Sequence, residues 1–273
     1  MATVTVVVDP VGRTVTVSGT TTGAEIDVLS HTKEQGGGYQ VVSRFVTDDG
    51  RAIMVDRGEA DAMITGLVGR FHKKLGYVRS VIGLDPGLQS TSAMTGVVND
   101  QGLWFFVDTH VQPDPTAEQI AESTIQAAYR LKLFGIEPKI ALLSHSNFGS
   151  HDDPSARKMR EVREILVRRA PKLEFDGEMM GDTAWDDTLR RRMLPDTTLS
   201  GRANLFVFPN IDAANITYNM IRVMTGGAAL GPILMGVNKP AHILTPSATP
   251  RRVINMTAIA AVDAQIRKAQ LEG

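Results

Sequence analysis

The sequence predicts an α/β protein built on a mostly parallel sheet with flanking helices. After Gly58, short apolar runs alternate with stretches of helical period, the pattern of strand–helix–strand units. The 273 residues are 42% hydrophobic and 22% charged, enough for one large or two modest cores. Aromatics are only 5% against 12 methionines, so the interior is expected to be aliphatic, with Met filling gaps.

Taken in chain order, residues 1–57 differ in texture from the rest. Val4, Val6 and Val8, then Val15 and Val17, alternate with Thr around Asp9-Pro10-Val11-Gly12, which predicts a β-hairpin. Thr20–Gly23 and Gly36-Gly37-Gly38 have loop composition. Val41–Val46 and Ala52–Val55 are further strand candidates, joined by Asp48-Asp49-Gly50, and no helix is expected in this segment. Beyond it, Asp61–Gly66 and Trp104–Val107 read as buried strands. Thr116 with Gln119 three residues on is a capping box, and Ile120, Ala127, Ala128 and Leu131 share the apolar side of the helix that follows, up to Gly135. Lys139–Leu143 is a strand. Ser155–Arg169 is a charged helix whose apolar stripe is Met159, Val162, Ile165 and Leu166. Asn204–Phe208 is a strand and Ile211–Met224 a helix stopped by Gly226-Gly227. The last helix runs from Thr249 to Ala269, with Thr249 at its N-cap and Pro250 at N1.

Composition also excludes. The net charge of −1 argues against a nucleic-acid binder. No apolar run reaches membrane-spanning length, and the N-terminus lacks a signal-peptide pattern. With no cysteine there are no disulfides, thiolate nucleophiles or Cys-based zinc sites, and a cytoplasmic location is the expectation. Histidines 31, 72, 110, 145, 151 and 242 match no metal spacing, and G-x-S-x-G, G-x-x-x-x-G-K and G-x-G-x-x-G are all missing. No metal site and no tightly bound cofactor are expected.

Ligands of open α/β sheets bind beyond the carboxyl ends of the strands. After Leu143 comes Ser144-His145-Ser146-Asn147-Phe148-Gly149-Ser150, a donor-rich loop suited to phosphate or carbonyl oxygens, or simply a polar connection. After Phe208 comes Pro209-Asn210-Ile211-Asp212-Ala213-Ala214-Asn215, whose polar side chains serve equally as ligand contacts or as caps. The last helix opens with Arg251 and Arg252. Cations there oppose the helix dipole, so an anion site is one reading, because N–H groups and guanidinium forks both favour phosphate. Salt bridges or solvation are the others. Asp152-Asp153 and Asp186-Asp187 read as helix-start charges, and Arg190-Arg191-Arg192 as a solvated helix face, with phosphate contact as the lesser alternative.

Several long stretches, in order, resemble phosphate acetyl/butyryl transferases: Glu59-Ala60-Asp61-Ala62-Met63 with Gly66, Val111–Gln119, Gly135–Lys139, Gly231–Gly236 and Lys239-Pro240. Leu143–Ser150, Pro154–Arg160, Pro209–Asn215 and His242-Ile243-Leu244-Thr245-Pro246 are more similar still to the phosphotransacetylase-like C-terminal domain of NADP-dependent malic enzymes. The resemblance covers about Gly58 to Gln265. It implies a two-lobed fold of phosphotransacetylase-like or isocitrate-dehydrogenase-like type, with residues 58–112 plus 232–273 in the first lobe and 113–231 in the second. Residues 1–57 stand outside it as a β-rich segment. It also implies acetyl-CoA as ligand, bound between the lobes, and a homodimer or higher homo-oligomer.

In active members of that family a Ser-Arg pair stabilises the transferring acyl group, and an Asp helps to deprotonate the CoA thiol. Aligned outward from Lys239-Pro240, those positions hold Thr245, Pro246 and Arg252 here. Proline has no side-chain donor, and a guanidinium does not act as a base. The resemblance therefore implies no catalytic residue and an acetyl-CoA-binding regulatory and dimerisation module. The expected ligand contacts are Ser144, Ser146, Asn147, Asn210, Asp212, Asn215, Lys239, Thr245, Arg251 and Arg252, with Arg79 near the position of a family arginine. Two other readings stand beside it. One is an active phosphate acyltransferase with His145 or Asp212 as base and Thr245 and Arg251 holding the acyl phosphate. The other is an oligomerising scaffold without ligand.

Overall fold

A computed structural model describes residues 48–272 and, ahead of them, the backbone of four short strands. Those strands are β1 (Thr5–Asp9), β2 (Thr14–Ser18), β3 (His31–Lys33) and β4 (Tyr39–Val41), joined in the order β2-β1-β4-β3. β1 and β2 form the expected hairpin, with Val6 opposite Val17 and Val8 opposite Val15. The loops expected at 20–23 and 36–38 lie outside the described residues, as does the strand expected at Val41–Val46 beyond Val41, which ends β4.

The elements that follow are α1 (Asp48–Asp56), β5 (Met63–Thr65), α2 (Phe71–Val81), β6 (Ser92–Asn99), β7 (Gly102–Val107), α3 (Ala117–Leu133), β8 (Lys139–Leu143), α4 (Pro154–Arg169), β9 (Glu174–Met179), α5 (Gly181–Trp185), α6 (Asp187–Met193), β10 (Leu205–Val207), α7 (Ile211–Met224), β11 (Ala228–Met235), β12 (Ala241–Ile243) and α8 (Pro250–Glu272). Two compact units result. One comprises Met1–Gly87 with Val237–Gly273, the other Leu88–Gly236. The second unit thus takes in Trp104–Val107, which the sequence placed in the first lobe.

The stretch Ala52–Val55 is a correction: it lies in helix α1, not in a strand. Arg51, Ala52 and Val55 are buried together, a helical spacing that a reading for alternation misses. Lys239 completes the helix. Its Nζ donates to the carbonyl oxygens of Val55 (3.3 Å) and Asp56, so a cation closes the C-terminal end.

In the first unit, β5 and β12 pair in parallel, with Met63 opposite Ala241 and Thr65 opposite Ile243. β12 is tied to α8 by buried His242, whose Nε2 lies 3.0 Å from Asp263 Oδ2. The second unit is a six-stranded sheet in the order β11-β6-β7-β10-β8-β9. The pairings β7–β10, β10–β8 and β8–β9 are parallel, while β11–β6 and β6–β7 are antiparallel. Helices α3 and α4 pack together and against the sheet. Phe106, Phe206, Phe208 and Tyr218 form an aromatic cluster beneath α7. The capping box at Thr116 and Gln119 is present in both directions, and Gly135 ends its helix at φ +73°. Asp153 N-caps α4 through the N–H groups of Ser155 (3.1 Å) and Ala156 (3.2 Å), Asp186 caps α6, and Asn210 caps α7. Among the described residues no helix is long and apolar enough to cross a membrane.

The basic run at 190–192 is not uniformly solvated. Arg190 has no exposed surface, and its guanidinium donates to the carbonyl oxygens of Thr183 and Leu199 and to Asp187. The sequence missed this because two of the three arginines do face solvent and local charge gives no sign of the third's burial.

Candidate functional site

In the second unit the chain leaves β8 toward β9 and leaves β10 toward β11, in opposite directions along the sheet. Connections that diverge in this way open a crevice at the carboxyl ends of the two strands. The Ser144–Ser150 loop stands at one side of that position and the Asn210 segment at the other.

The loop is tightly internal. Ser146 is fully buried, and its hydroxyl donates to Glu178 Oε1 at 2.7 Å. Asn147 Oδ1 accepts the Met180 N–H at 2.8 Å, and the Asn147 N–H goes to Ser150 Oγ at 2.9 Å. Both predicted ligand contacts are therefore occupied in building the loop. Ser144 differs: it is half-buried, and its Oγ accepts the Ser146 N–H at 3.3 Å. His145 Nε2 sits 2.6 Å from Asp153 Oδ2, and the His151 ring lies 5.2 Å from that of His145. Dehydration raises the Asp153 carboxyl, but the Ala156 N–H, the His145 charge and the Ser155 N–H together hold it below the usual carboxylate range.

Asn210 and Asn215 gather around the end of β7. Asn210 Oδ1 accepts the Ala213 N–H at 2.9 Å, and Asn215 Nδ2 donates to the Thr109 carbonyl at 3.0 Å. Asp212, also predicted as a contact, is exposed in the first turn of α7. A small pocket is lined by Asp108, Gln112, Ser123, Phe208 and Asn210. Gln112 Nε2 donates to the Thr91 carbonyl at 2.9 Å, which fixes the amide's orientation, and its buried Oε1 has no partner among the described residues. Asp108 and Gln112 were not among the predicted site residues. The available signal was Asp108's place immediately after the apolar run Trp104–Val107.

Burial pushes the Asp108 carboxyl up from 3.8 to about 6, against the pull of N–H bonds from His110, Val111 and Gln112. The folded state therefore holds a proton that the unfolded chain releases between those values. This contribution to stability is present below pH 3.8 and is lost as pH rises through 6. Moving from pH 7 to pH 5 should raise the urea-unfolding free energy by about 1 kcal/mol relative to Asp108→Asn. Equal pH dependence in the two proteins would remove the carboxyl from this role.

In the first unit, β12 runs into Leu244-Thr245 and α8 begins five residues later. Arg252 is 8% exposed. Its Nη1 donates to Thr245 Oγ1 at 3.3 Å, and its backbone N–H goes to the N-cap Thr249 Oγ1 at 3.3 Å. Thr245 Oγ1 also meets Ser247 Oγ at 3.0 Å. Arg251 is exposed beside it, and Arg79 is exposed in the last turn of α2. Lys239, expected as a ligand contact, donates to the carbonyl oxygens at the end of α1. The structure thus brings Thr245 and Arg252 together in the first unit, and Ser144, Ser146 and Asn147 in the second. Among the described residues no cluster of three or more His, Asp or Glu is placed to hold a metal.

A family model for phosphate acetyl/butaryl transferase matches residues 20–261. It takes in residues 20–57, which the sequence reading had set apart. The NADP-dependent malic enzyme of Escherichia coli (strain K12) is 50% identical over 215 residues, 78% of this chain but 28% of the relative. The phosphate acetyltransferase of Nitratidesulfovibrio vulgaris is 34% identical over 216 residues, 79% of this chain and 31% of the relative. The chain thus spans less than a third of the length of these relatives. A phosphotransacetylase from Streptococcus pyogenes superposes with a TM-score of 0.76 at 32% identity, covering 80% of this chain and 67% of that one. Motifs, fold and relatives agree, and the chain belongs to the phosphate acetyl/butyryl transferase family.

Proposed function

We propose that this chain is a non-catalytic regulatory module that binds acetyl-CoA or a related acyl-CoA, pairs with a second copy of itself, and works in the cytoplasm as part of a malic-enzyme-type protein. One observation carries the reading. At the position where the resemblance implies a general base, Arg252 donates to Thr245. A guanidinium stays protonated and takes no proton from a thiol. It does favour an anionic phosphate, as does the exposed Arg251. Binding needs such contacts alone, whereas transfer also needs thiolate formation and donors preorganised at the acyl oxygen.

Titration calorimetry with acetyl-CoA should show saturable binding to the intact chain. Arg252→Gln should weaken it roughly 10- to 100-fold, the value of one charge-assisted hydrogen bond. Coenzyme A with acetyl phosphate should give acetyl-CoA no faster than buffer. Turnover that depends on Thr245 and Arg252 would defeat the proposal, and a wild-type chain giving neither heat nor thermal shift would favour a scaffold.

A second reading rests on the His145–Asp153 contact of 2.6 Å, the geometry of an oriented base. It is an active phosphate acyltransferase using His145, and it requires turnover whose pH profile moves on His145→Ala.

A further inference from the structure

The β8–β9 pairing skips a residue. Leu142 stands opposite Gly177 and Leu143 opposite Met179, so Glu178 has no counterpart on β8. An extra residue of this kind is a bulge, and bulges re-aim the side chain they carry. Gly177 permits it: its φ is +137°, and a Cβ there would lie 2.5 Å from the Leu142 carbonyl oxygen.

The re-aimed Glu178 carboxylate is 1% exposed. Its Oε1 accepts three donors: Ser146 Oγ at 2.7 Å, Gly149 N–H at 2.8 Å and Arg160 Nη1 at 2.9 Å. Its backbone carbonyl takes the Phe148 N–H at 2.8 Å. A carboxylate is stable in the interior only with such partners, and three of these four donors come from the Ser144–Ser150 loop.

We propose that Glu178 is the positioning residue of this loop, acting through Ser146 to aim the Ser144 hydroxyl at an anionic oxygen of the ligand. With its proton committed to Glu178, Ser146 Oγ accepts the His151 N–H at 3.0 Å. The backbone N–H of the same serine donates to Ser144 Oγ, so the placement of that oxygen traces back to the buried charge. The identity of the ligand, an acyl-CoA, rests on the function proposed above. The control of loop shape does not.

Glu178→Gln keeps the size and removes the charge. Its Gly149 and His151 amides should exchange with solvent at least tenfold faster than in wild type, while Ile140 and Leu142 in β8 keep their protection. Acetyl-CoA affinity should fall about tenfold. Ser146→Ala should weaken acetyl-CoA binding about threefold and loosen the His151 amide, and adding it to Glu178→Gln should cost nothing more, since the two act in one chain. Unchanged Gly149 exchange, unchanged affinity, or losses that add would each overturn the proposal. If Glu178→Gln also loses protection in β8, Ser146→Ala decides alone, and wild-type exchange and affinity there overturn it. A wild type that ignores acetyl-CoA defeats the acyl-CoA reading, and the Gly149 and His151 exchange rates still decide whether Glu178 positions the loop.

Discussion

Arg190→Met should cost the second unit about 3–5 kcal/mol, the range for removing one partner of a buried charged network. Arg190 is fully buried and joins three segments. Nη1 donates to the Thr183 carbonyl at 3.1 Å in α5. Nη2 donates to Asp187 at 2.5 Å in α6, to the Leu199 carbonyl at 3.2 Å and to the Gly201 carbonyl. Methionine fills much of the volume but leaves those carbonyl oxygens without a donor. Asp187 keeps its bond from Arg191, the main reason its carboxyl lies below the usual range. Trp185 sits under Arg202 at 4.2 Å and beside Trp104 at 5.1 Å, so tryptophan fluorescence during urea unfolding reads this region directly. A loss below about 1 kcal/mol, the ordinary value of a single hydrogen bond, would show that the network is not what holds α5 and α6.

Gly66→Ala should destabilise the first unit by roughly 4 kcal/mol, combining overpacking with a strained backbone. Gly66 follows β5 at φ +113°, and a Cβ would stand 2.0 Å from the Leu244 carbonyl oxygen. Backbone cannot yield as a flexible side chain does. The neighbouring Leu244 N–H to Thr65 carbonyl bond, at 2.6 Å, would have to lengthen. Leu244 directly precedes Thr245, so the same shift should separate Thr245 from Arg252 and weaken acetyl-CoA binding in whatever fraction stays folded. Thermal unfolding and calorimetry on one preparation check both. A variant melting within a few degrees of wild type would mean that β5 and β12 move apart freely.

Much of the second unit was legible in the sequence. Pro154–Arg169 and Ile211–Met224 are marked by cap residues and a 3.6-residue period, which are local. Within Lys139–Leu143, Ile140–Leu143 is an uninterrupted apolar run in a parallel strand, buried along its length. β9 was not legible. Glu174-Phe175-Asp176-Gly177-Glu178-Met179 alternates polar with apolar and suggests one wet face, yet Asp176 and Glu178 are each 1% exposed. Thr197 and Thr198 donate to Asp176 at 2.7 and 2.9 Å, from more than twenty residues away.

The candidate site divides the same way. Sequence alone determined which segments follow the strands and which family the chain joins, because motifs and caps are carried by residues close together in the chain. Only the tertiary structure decided which partner each polar group takes: that Lys239 closes α1, that Ser146 and Asn147 build a loop, and that Glu178 commands it from 32 residues away. The physical reason is that a buried polar group must find its hydrogen-bond partner, whatever the separation along the chain. That pairing is settled only when strands and helices have come together.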